Sequence, residues 1–117
     1  MKTKYTIISS LALSILVFSC KAQHSSIIAN DALLVKVDST YSFTEGPASD
    51  KDGNVYFTDQ PNDKIIKWHA NDNSLSIFKE PSGRANGLYF DHDGNLLAAA
   101  DENNELWRID SNGNVDT

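Results

Sequence analysis

The sequence has few of the residues that mark several large classes of protein. It contains one cysteine among 117 residues, so an internal disulfide framework is excluded, and no Cys/His cluster indicates a structural zinc site. No apolar run reaches the roughly 18 residues that a transmembrane helix needs. The 10 Lys and Arg are outnumbered by 16 Asp and Glu, and the net charge of −6 argues against a nucleic-acid-binding face. The chain also lacks a Gly-rich phosphate loop and a nucleophile elbow.

The first 19 residues are predicted to be a signal peptide. Lys2 and Lys4 form a positive start, and residues 7–18 form a short apolar stretch. The following Ser19-Cys20 resembles the end of a bacterial lipobox, which implies cleavage before Cys20 and lipidation of its thiol and new amino terminus. A plain secretory signal that happens to contain a cysteine is the alternative.

Residues 20–32 lack periodicity, and we interpret them as the lipid anchor and a tether. We therefore expect an exported lipoprotein that faces the periplasm or lies on the surface of a bacterium, or else a secreted protein. Loss of Lys2 and Lys4 would make the mature chain still more acidic, so contact with a membrane would come from the lipid alone.

An internal repeat organises the rest of the chain. The segment DKDGN at 50–54 recurs as DHDGN at 91–95, and residues 45–76 align with residues 86–117 at an offset of 41 without a gap. Eight of the 32 aligned pairs are identical. A period of about 40–50 residues with four strand-sized segments is typical of propeller blades. The sequence thus predicts an all-β protein with a partial propeller over residues 33–117.

Each repeat divides into short strands separated by turn residues. Blade one is predicted over 45–80 and an incomplete blade two over 86–117. The predicted strands of blade one are 46–49, 55–58, 64–68 and 75–78, and those of blade two are 87–90, 96–99 and 105–109. We expect residues 55–58 to be buried on both faces, blade two to lack its fourth strand, and residues 33–37 to form one further strand that completes the last blade of a ring.

The acidic turn at 50–54 does not fit the pattern of an EF-hand calcium-binding loop. An EF-hand places Gly at its sixth position and a bidentate Glu at its twelfth, whereas Gly53 follows Asp52 directly and position twelve is Pro61. The segment is therefore interpreted as a hairpin turn, in which Gly and Asn supply positive φ values.

Two motifs resemble the SMP-30/gluconolactonase family. They are FTEGP at 43–47 and GRANGL at 83–88, the second followed by DHDGNLL at 91–97, and the resemblance covers roughly residues 40–117. It implies a six-bladed β-propeller whose central channel holds one divalent cation and which hydrolyses lactones or related esters. Calcium is the cation we expect first, with zinc, manganese or magnesium as alternatives.

The resemblance also implies roles for particular residues. Glu45 matches the metal carboxylate of the first blade, and Arg84 and Asn86 match a pair that binds substrate oxygens. Asp101 or Glu102 matches an acidic substrate contact, and the alignment does not decide between them. The remaining ligands, an Asn and an Asp, and the acidic general base would lie beyond Thr117, so no catalytic residue is assigned in this chain.

The repeat supports this placement, because Glu45 and Asn86 differ by 41 and so start equivalent innermost strands. A hard cation prefers the carboxylate and amide oxygens that would converge there.

Other interpretations of these residues stay open. Glu45 could be a surface carboxylate, Arg84 could pair with a loop acid, and Asn86 could serve the turn before Gly87. Solvent exposure is expected for the three histidines, which are His24, His69 and His92. Trp68 and Trp107, both in third strands, are expected to pack between blades.

The sequence favours the N-terminal part of an exported metal-dependent lactonase that is inactive by itself. A non-catalytic NHL-like propeller that binds a ligand or protein at its channel face is the alternative, and a secreted structural repeat protein is a third. The expected partner is a small sugar lactone or sugar acid. No motif predicts a partner protein or a nucleic acid.

Overall fold

The computed structural model describes residues 27–29 and 31–117. The predicted signal peptide, Cys20 and most of the tether lie outside the described residues. The described chain divides into two units between Val35 and Lys36, and all eight described strands lie in the second, residues 36–117. Among the described residues, no helix is long and apolar enough to cross a membrane.

The first four strands form one antiparallel sheet, called sheet one, in the order β1-β2-β3-β4. Their bounds are Thr44–Ser49, Val55–Asp59, Lys64–Trp68 and Leu75–Lys79. A row of apolar side chains crosses the sheet where Phe57 pairs with Ile66 and Ile66 with Ile77. All four strands predicted for blade one are confirmed.

The second repeat forms sheet two, in the order β5-β6-β7-β8. Its strands are Ala85–Phe90, Leu96–Ala100, Glu105–Ile109 and Val115–Asp116. The expectation that blade two lacks a fourth strand is wrong, because β8 pairs with the end of β7 through Arg108 and Ile109. Gly113, at φ 83°, lets the chain turn back, and an ion pair joins Arg108 to Asp116.

The predicted strand at 33–37 is also wrong, since residues 32–40 have no regular secondary structure. A strand is stable only when a neighbour receives its backbone hydrogen bonds. No strand pairs with residues 33–37 in the described chain, and their apolar side chains are exposed, as Leu34 (103 %) and Val37 (58 %) illustrate.

One five-residue motif, D-x-x-G-N, forms three of the hairpin turns. Asp50, Asp91 and Asp110 each accept hydrogen bonds from the backbone amides two and four residues ahead, and each accepts a third from the side chain of the closing Asn. Hydrogen bonds from Asn95 lower the pKa of Asp91. The carboxylates are thus used within the turns, which confirms the hairpin interpretation of 50–54.

The core lies between the two sheets. The Tyr56 ring meets Phe78 of its own sheet and Phe90 of sheet two edge-to-face, with 5.0 Å between ring centroids in each pair. Around it lie Ile65, Leu96 and Ile109, all at most 1 % exposed. Burying each of these three side chains contributes about 1.5–3 kcal/mol. Packing between the repeats therefore holds the two sheets together.

β2 is buried on one face only, so the expectation of two buried faces is wrong. Tyr56 and Thr58 point toward sheet two and are buried, whereas Val55 and Phe57 on the other face are half-buried. On that second face the cover is a loop residue, Tyr41, whose ring meets Phe57 edge-to-face at 5.4 Å.

The two tryptophans occupy opposite faces of their sheets. Trp107 packs against the core, and its ring fills the space beside Gly83. Trp68 lies on the outer face of sheet one, beside a cavity of about 330 Å³. The prediction of packing between blades is thus confirmed for Trp107, while Trp68 faces away from sheet two.

Candidate functional site

The predicted site residues lie along one edge of the two sheets. This edge, called the site edge, is where β1 and β5 begin and where β2 and β6 end. At the opposite edge, called the turn edge, lie the three D-x-x-G-N turns. Each of β2 and β6 is followed at the site edge by a short 3₁₀ turn, Gln60–Asn62 and Asp101–Asn103 respectively.

A β-bulge shapes each innermost strand at this edge. The pairing of β1 shifts between Glu45 and Ala48, and that of β5 shifts between Ala85 and Leu88. Bulges bend a strand locally and re-aim side chains, and they are common beside active sites. The two irregular stretches overlap in the repeat but are not identical, because Glu45 still pairs with Thr58 whereas Asn86 lies inside the stretch where the pairing of β5 shifts.

Gly46 brings the two innermost strands into backbone contact. It has φ 59°, and a Cβ placed on it would lie 2.1 Å from the backbone oxygen of Asn86. No larger residue fits there, because real Cβ atoms do not approach an oxygen so closely. Gly46 therefore allows β1, which carries Glu45, to lie directly against the backbone of Asn86 on β5.

The Glu45 carboxylate is available to a ligand. Its backbone oxygen accepts a 3.1 Å hydrogen bond from the Thr58 hydroxyl, which fixes the main chain beside the bulge. The side chain is half-buried, and within the described chain neither its carboxylate nor the Asn86 amide has a hydrogen bond or ion pair. A carboxylate and an amide oxygen suit a hard cation.

These two side chains supply only part of a metal site. Calcium takes six to eight oxygen ligands, and magnesium takes six. The described residues contain no group of three or more His, Cys, Asp or Glu side chains that could hold a metal ion. The donor chemistry thus fits a divalent cation, although the described His, Cys, Asp and Glu side chains do not complete a site by themselves.

Arg84 is held in an unusual backbone conformation. Its φ is 54°, in the left-handed region that costs a non-Gly residue roughly 1 kcal/mol. The side chain is exposed, and its Nη2 donates a 3.2 Å hydrogen bond to Oε1 of Gln60. No ion pair to the guanidinium is present in the described chain, so most of its donors can reach a ligand.

Asp63 is the residue that fixes this conformation. Its Oδ1 accepts hydrogen bonds from the Arg84 amide at 2.7 Å and from both the amide and the hydroxyl of buried Ser82 at 2.9 Å. Burial raises the pKa of Asp63, but these hydrogen bonds outweigh that effect and hold it below its ordinary value. The carboxylate therefore stays ionised and clamps the loop before β5.

Sequence reasoning treated Asp63 only as part of a turn. Its hydrogen-bond partners lie 19 and 21 residues away, so local pattern does not identify them. One signal was available: Asp63 aligns with Asn104, and both are residue types that tolerate positive φ, which is 55° and 58° in the structure.

A second buried carboxylate holds the chain that leads into β1. Asp59 is 2 % exposed, and its Oδ1 accepts hydrogen bonds of 3.1 Å from the amides of Ser42 and Phe43. Burial raises its pKa, and hydrogen bonds from Asn62 and these amides lower it below its ordinary value overall. Asp59 thus positions the FTEGP motif that carries Glu45.

Asp101 and Glu102 lie in the 3₁₀ turn after β6 and are exposed. The Glu102 amide donates a 3.1 Å hydrogen bond to the oxygen of Gly83, the residue before Arg84. The structure thereby brings this turn to the site edge beside the arginine loop. It does not separate the two acidic residues as candidates for a substrate contact.

The two histidines within the described residues lie away from the site edge. His92 is exposed in the second hairpin turn, and half-buried His69 hydrogen-bonds the Ser76 hydroxyl at 2.9 Å. The expectation of full solvent exposure is therefore confirmed for His92 and is wrong for His69. His24 lies outside the described residues. Cys20, the predicted lipidation site, also lies outside them.

A cleft of about 460 Å³ opens at the turn edge, away from the predicted site. Acidic turn residues line it, among them Asp50, Asp91 and Asp110. Each of these carboxylates already accepts three hydrogen bonds inside its own turn. The cleft walls are therefore part of the scaffold.

No family model and no curated protein matches this chain. Among solved structures it is similar to a gluconolactonase from Xanthomonas campestris, with a TM-score of 0.63 and 18 % identity over 68 % of this chain and 27 % of that one. The two sheets are propeller blades.

A second solved structure is a structural-genomics target assigned provisionally to the gluconolactonases. Its TM-score is 0.64, with 25 % identity over 71 % of this chain and 29 % of that one. The chain therefore spans less than a third of the length of either protein. Both matches support the resemblance to gluconolactonases at the level of the fold, and they agree with an all-β propeller fragment of two blades.

Proposed function

We propose that this chain contributes two blades and part of the active site to an exported, metal-dependent hydrolase of the gluconolactonase type. The proposal depends on the side chains that lie at the site edge. An available carboxylate and an amide lie on neighbouring strands beside irregular strand pairing, and an exposed arginine directly precedes the second of these strands. The fold shared with gluconolactonases agrees with this proposal.

Glu45 and Asn86 would hold the cation in this proposal. Calcium is the first candidate, and zinc, manganese and magnesium are the others. When bound, the cation would polarise the carbonyl of a sugar lactone or related ester. The described residues hold no group of three or more His, Cys, Asp or Glu side chains that could bind a metal ion, so in this proposal the remaining carboxylate ligand and the general base are assigned to groups outside them.

Arg84 would bind and orient the substrate. Its loop is fixed by Asp63 and its side chain is exposed, so the guanidinium can donate two parallel hydrogen bonds to a carboxylate or to vicinal sugar oxygens. Asp101 or Glu102 would accept hydrogen bonds from sugar hydroxyls at the same edge. Holding the substrate in one orientation lowers the entropic part of the barrier.

The export part of the proposal rests on the sequence. Cleavage before Cys20 and lipidation of that cysteine would place the blades on the periplasmic or outer face of a membrane. Labelling of the expressed chain with a radioactive fatty acid, compared with the Cys20→Ser variant, tests this. Label on the parent chain and none on the variant is expected, and equal labelling of both would contradict lipidation.

The binding role is tested with gluconate, the hydrolysis product of the simplest substrate of this class. Gluconate is titrated into the isotope-labelled full chain with calcium present, and amide shifts are followed by NMR. We expect shifts at Arg84 and Asn86 and at least a tenfold loss of affinity in Arg84→Gln. Arg108→Gln is the matched control, because Arg108 is exposed but is ion-paired to Asp116.

Absence of shifts at residues 84–87, or an equal loss of affinity in both arginine variants, would contradict the substrate role. Binding that persists unchanged without any divalent cation would instead favour the non-catalytic, NHL-like alternative. The chain alone is expected to leave the spontaneous hydrolysis rate of gluconolactone unchanged, because the general base is assigned outside the described residues.

A further inference from the structure

One turn at the site edge holds Arg84 at two points. The turn follows β2 and consists of the 3₁₀ residues Gln60–Asn62 and then Asp63. The Oδ1 of Asp63 accepts a hydrogen bond from the Arg84 amide, which fixes the main chain. The Nη2 of Arg84 donates a 3.2 Å hydrogen bond to Oε1 of Gln60, which lies 24 residues earlier in the sequence. The backbone and the guanidinium of Arg84 are thus held by residues of the same turn.

Gln60 extends from a well-fixed backbone. It directly follows Asp59, which is 2 % exposed, and directly precedes Pro61, whose ring restricts the main chain. The backbone oxygen of Gln60 accepts a 3.2 Å hydrogen bond from the Asp63 amide, and the residue is half-buried. Ordering its side chain therefore costs less entropy than ordering a fully exposed one. Gln60 is suited to hold the longer and more flexible arginine side chain in one direction.

The fold does not require glutamine at this position. The second repeat has Asp101 at the equivalent place, first in the 3₁₀ turn that follows β6. The two turns close in the same way, because the Asn104 amide donates to the Asp101 oxygen at 3.3 Å as the Asp63 amide does to the Gln60 oxygen. An acidic residue is thus compatible with the backbone of this turn. The neutral side chain at residue 60 therefore concerns what that side chain contacts, which is Arg84.

A neutral acceptor holds the guanidinium without neutralising its charge. A carboxylate at residue 60 would form an ion pair with Arg84 and occupy it, whereas the amide oxygen of Gln60 accepts one N–H and adds no charge. The charge of Arg84 helps to lower the pKa of Asp63, but within the described chain no acid forms an ion pair with the guanidinium. The remaining N–H groups suit a carboxylate, which takes two parallel hydrogen bonds from an arginine.

We propose that Gln60 is a positioning residue that directs the charged guanidinium of Arg84 at a carboxylate of the substrate. The lactone carbonyl is the group that reacts, so this carboxylate is a second one, elsewhere on the sugar. The substrate class is accordingly the lactones that carry a free carboxylate, such as the monolactones of sugar diacids. This inference rests on the proposed function and adds to it the residue that sets the specificity.

The arginine content of the chain allows a direct measurement. Arg84 and Arg108 are the two arginines of the sequence, so the full chain labelled with ¹⁵N-arginine gives two Nε–Hε signals, which Arg84→Lys assigns. The heteronuclear NOE of the Arg84 signal measures how well the side chain is ordered. Titration with acetate alone measures its affinity for a carboxylate. Arg108, which is ion-paired to Asp116, is the internal reference and should respond less to acetate.

Two variants of Gln60 separate positioning from charge. Gln60→Met removes the acceptor at similar length, and Gln60→Glu retains an acceptor but adds a charge. We expect the Arg84 NOE to fall in Gln60→Met and to be retained in Gln60→Glu. The affinity of Arg84 for acetate should fall at least tenfold in Gln60→Glu, because the new carboxylate already takes the charge-assisted hydrogen bonds. Asn71→Asp is the control, since it adds the same charge at an exposed position of the turn edge, and it should change neither quantity.

Amide spectra verify that each variant is folded. An unchanged Arg84 NOE in folded Gln60→Met would overturn the positioning role. An Arg84 signal that responds to acetate no more than that of Arg108, or a Gln60→Glu variant that binds acetate as the parent does, would overturn the role of the uncompensated charge.

The substrate class is tested with two sugar acids and calcium present. D-glucarate has the hydroxyl chain of D-gluconate and a second carboxylate at its other end. We expect the parent and Asn71→Asp to bind glucarate at least fivefold more tightly than gluconate, and Gln60→Glu to lose this preference. Equal affinities of the parent for the two would overturn the substrate class. Binding of neither would contradict the proposed function together with the substrate class, while the NOE and acetate results still decide whether Gln60 positions Arg84.

Discussion

The two repeats use the same scaffold and differ where they meet the site edge. Six of the eight identical pairs lie in turns at the turn edge, and in the D-x-x-G-N turns they make the same hydrogen bonds. At the site edge the equivalents diverge, as in Glu45 and Asn86 or Asp63 and Asn104. Identity between the repeats thus marks what builds a blade, and divergence marks what each blade adds to the site.

The largest expected difference in stability is between alanine variants of two equivalent glycines, Gly46 and Gly87. In Gly46→Ala the new Cβ would meet the Asn86 backbone oxygen at 2.1 Å, in a left-handed conformation, whereas the nearest atom to a Cβ on Gly87 is 3.9 Å away. We expect Gly46→Ala to lower the free energy of unfolding by roughly 3 kcal/mol or more, and Gly87→Ala by less than about 1 kcal/mol. Urea denaturation measures both. Equal losses would show that the close approach is not specific to blade one.

A second pair compares Asp63 with Asn104. Both have positive φ, so replacement by Ala costs each a similar backbone strain. Asp63→Ala also removes the acceptor of three hydrogen bonds from Ser82 and Arg84. We expect it to cost about 2 kcal/mol more than Asn104→Ala in urea denaturation. A difference of zero would contradict the role of Asp63 as the clamp of the arginine loop.

Acid should weaken blade one before blade two. Asp59 and Asp63 have pKa values below their ordinary 3.8, while their equivalents are Ala100 and Asn104, which do not titrate. Since the folded state binds fewer protons than the unfolded state, this stabilisation is fully present above about pH 5 and is lost as pH falls through the lowered values. Amide hydrogen exchange should show protection lost first at 42–43 and 82–84. Earlier loss in sheet two would contradict this account.

The smallest effects are expected at the turn edge. Asp50→Ala removes three hydrogen bonds within a turn between two long strands, and we expect a loss of about 1 kcal/mol. Asp110→Ala removes the same set, but the group is exposed and its turn leads only to the two-residue β8, so we expect a smaller loss. Thermal unfolding of both variants measures the difference. A larger loss for Asp110→Ala would indicate that β8 is more important than its length suggests.

The sequence predicted the scaffold well because its determinants are local. Apolar stretches between Gly- and Asn-containing turns predicted the bounds of β3 and β7 to the residue, and the period of 41 predicted two blades. It was wrong at β8 and at residues 33–37, where a strand depends on the partner beside it and not on its own pattern. The sequence also predicted that Phe57 would be buried, whereas the structure leaves it half-buried.

The site was predictable to a lesser degree. The motifs indicated Glu45, Arg84 and Asn86, and the structure brings all three to one edge. The clamp by Asp63 and the anchor by Asp59 were not predicted, because each depends on hydrogen bonds to backbone amides at least 16 residues away. Local pattern contains no information about such contacts.

The most direct test of the account asks which edge of the molecule binds a divalent cation. Manganese is titrated into the isotope-labelled full chain, and paramagnetic broadening of amide signals locates it. The account predicts that residues 45–46 and 86–87 broaden first and that Glu45→Gln removes this effect. Broadening that begins at the acidic turns of 50–54 and 91–95, and that Glu45→Gln leaves unchanged, would contradict it.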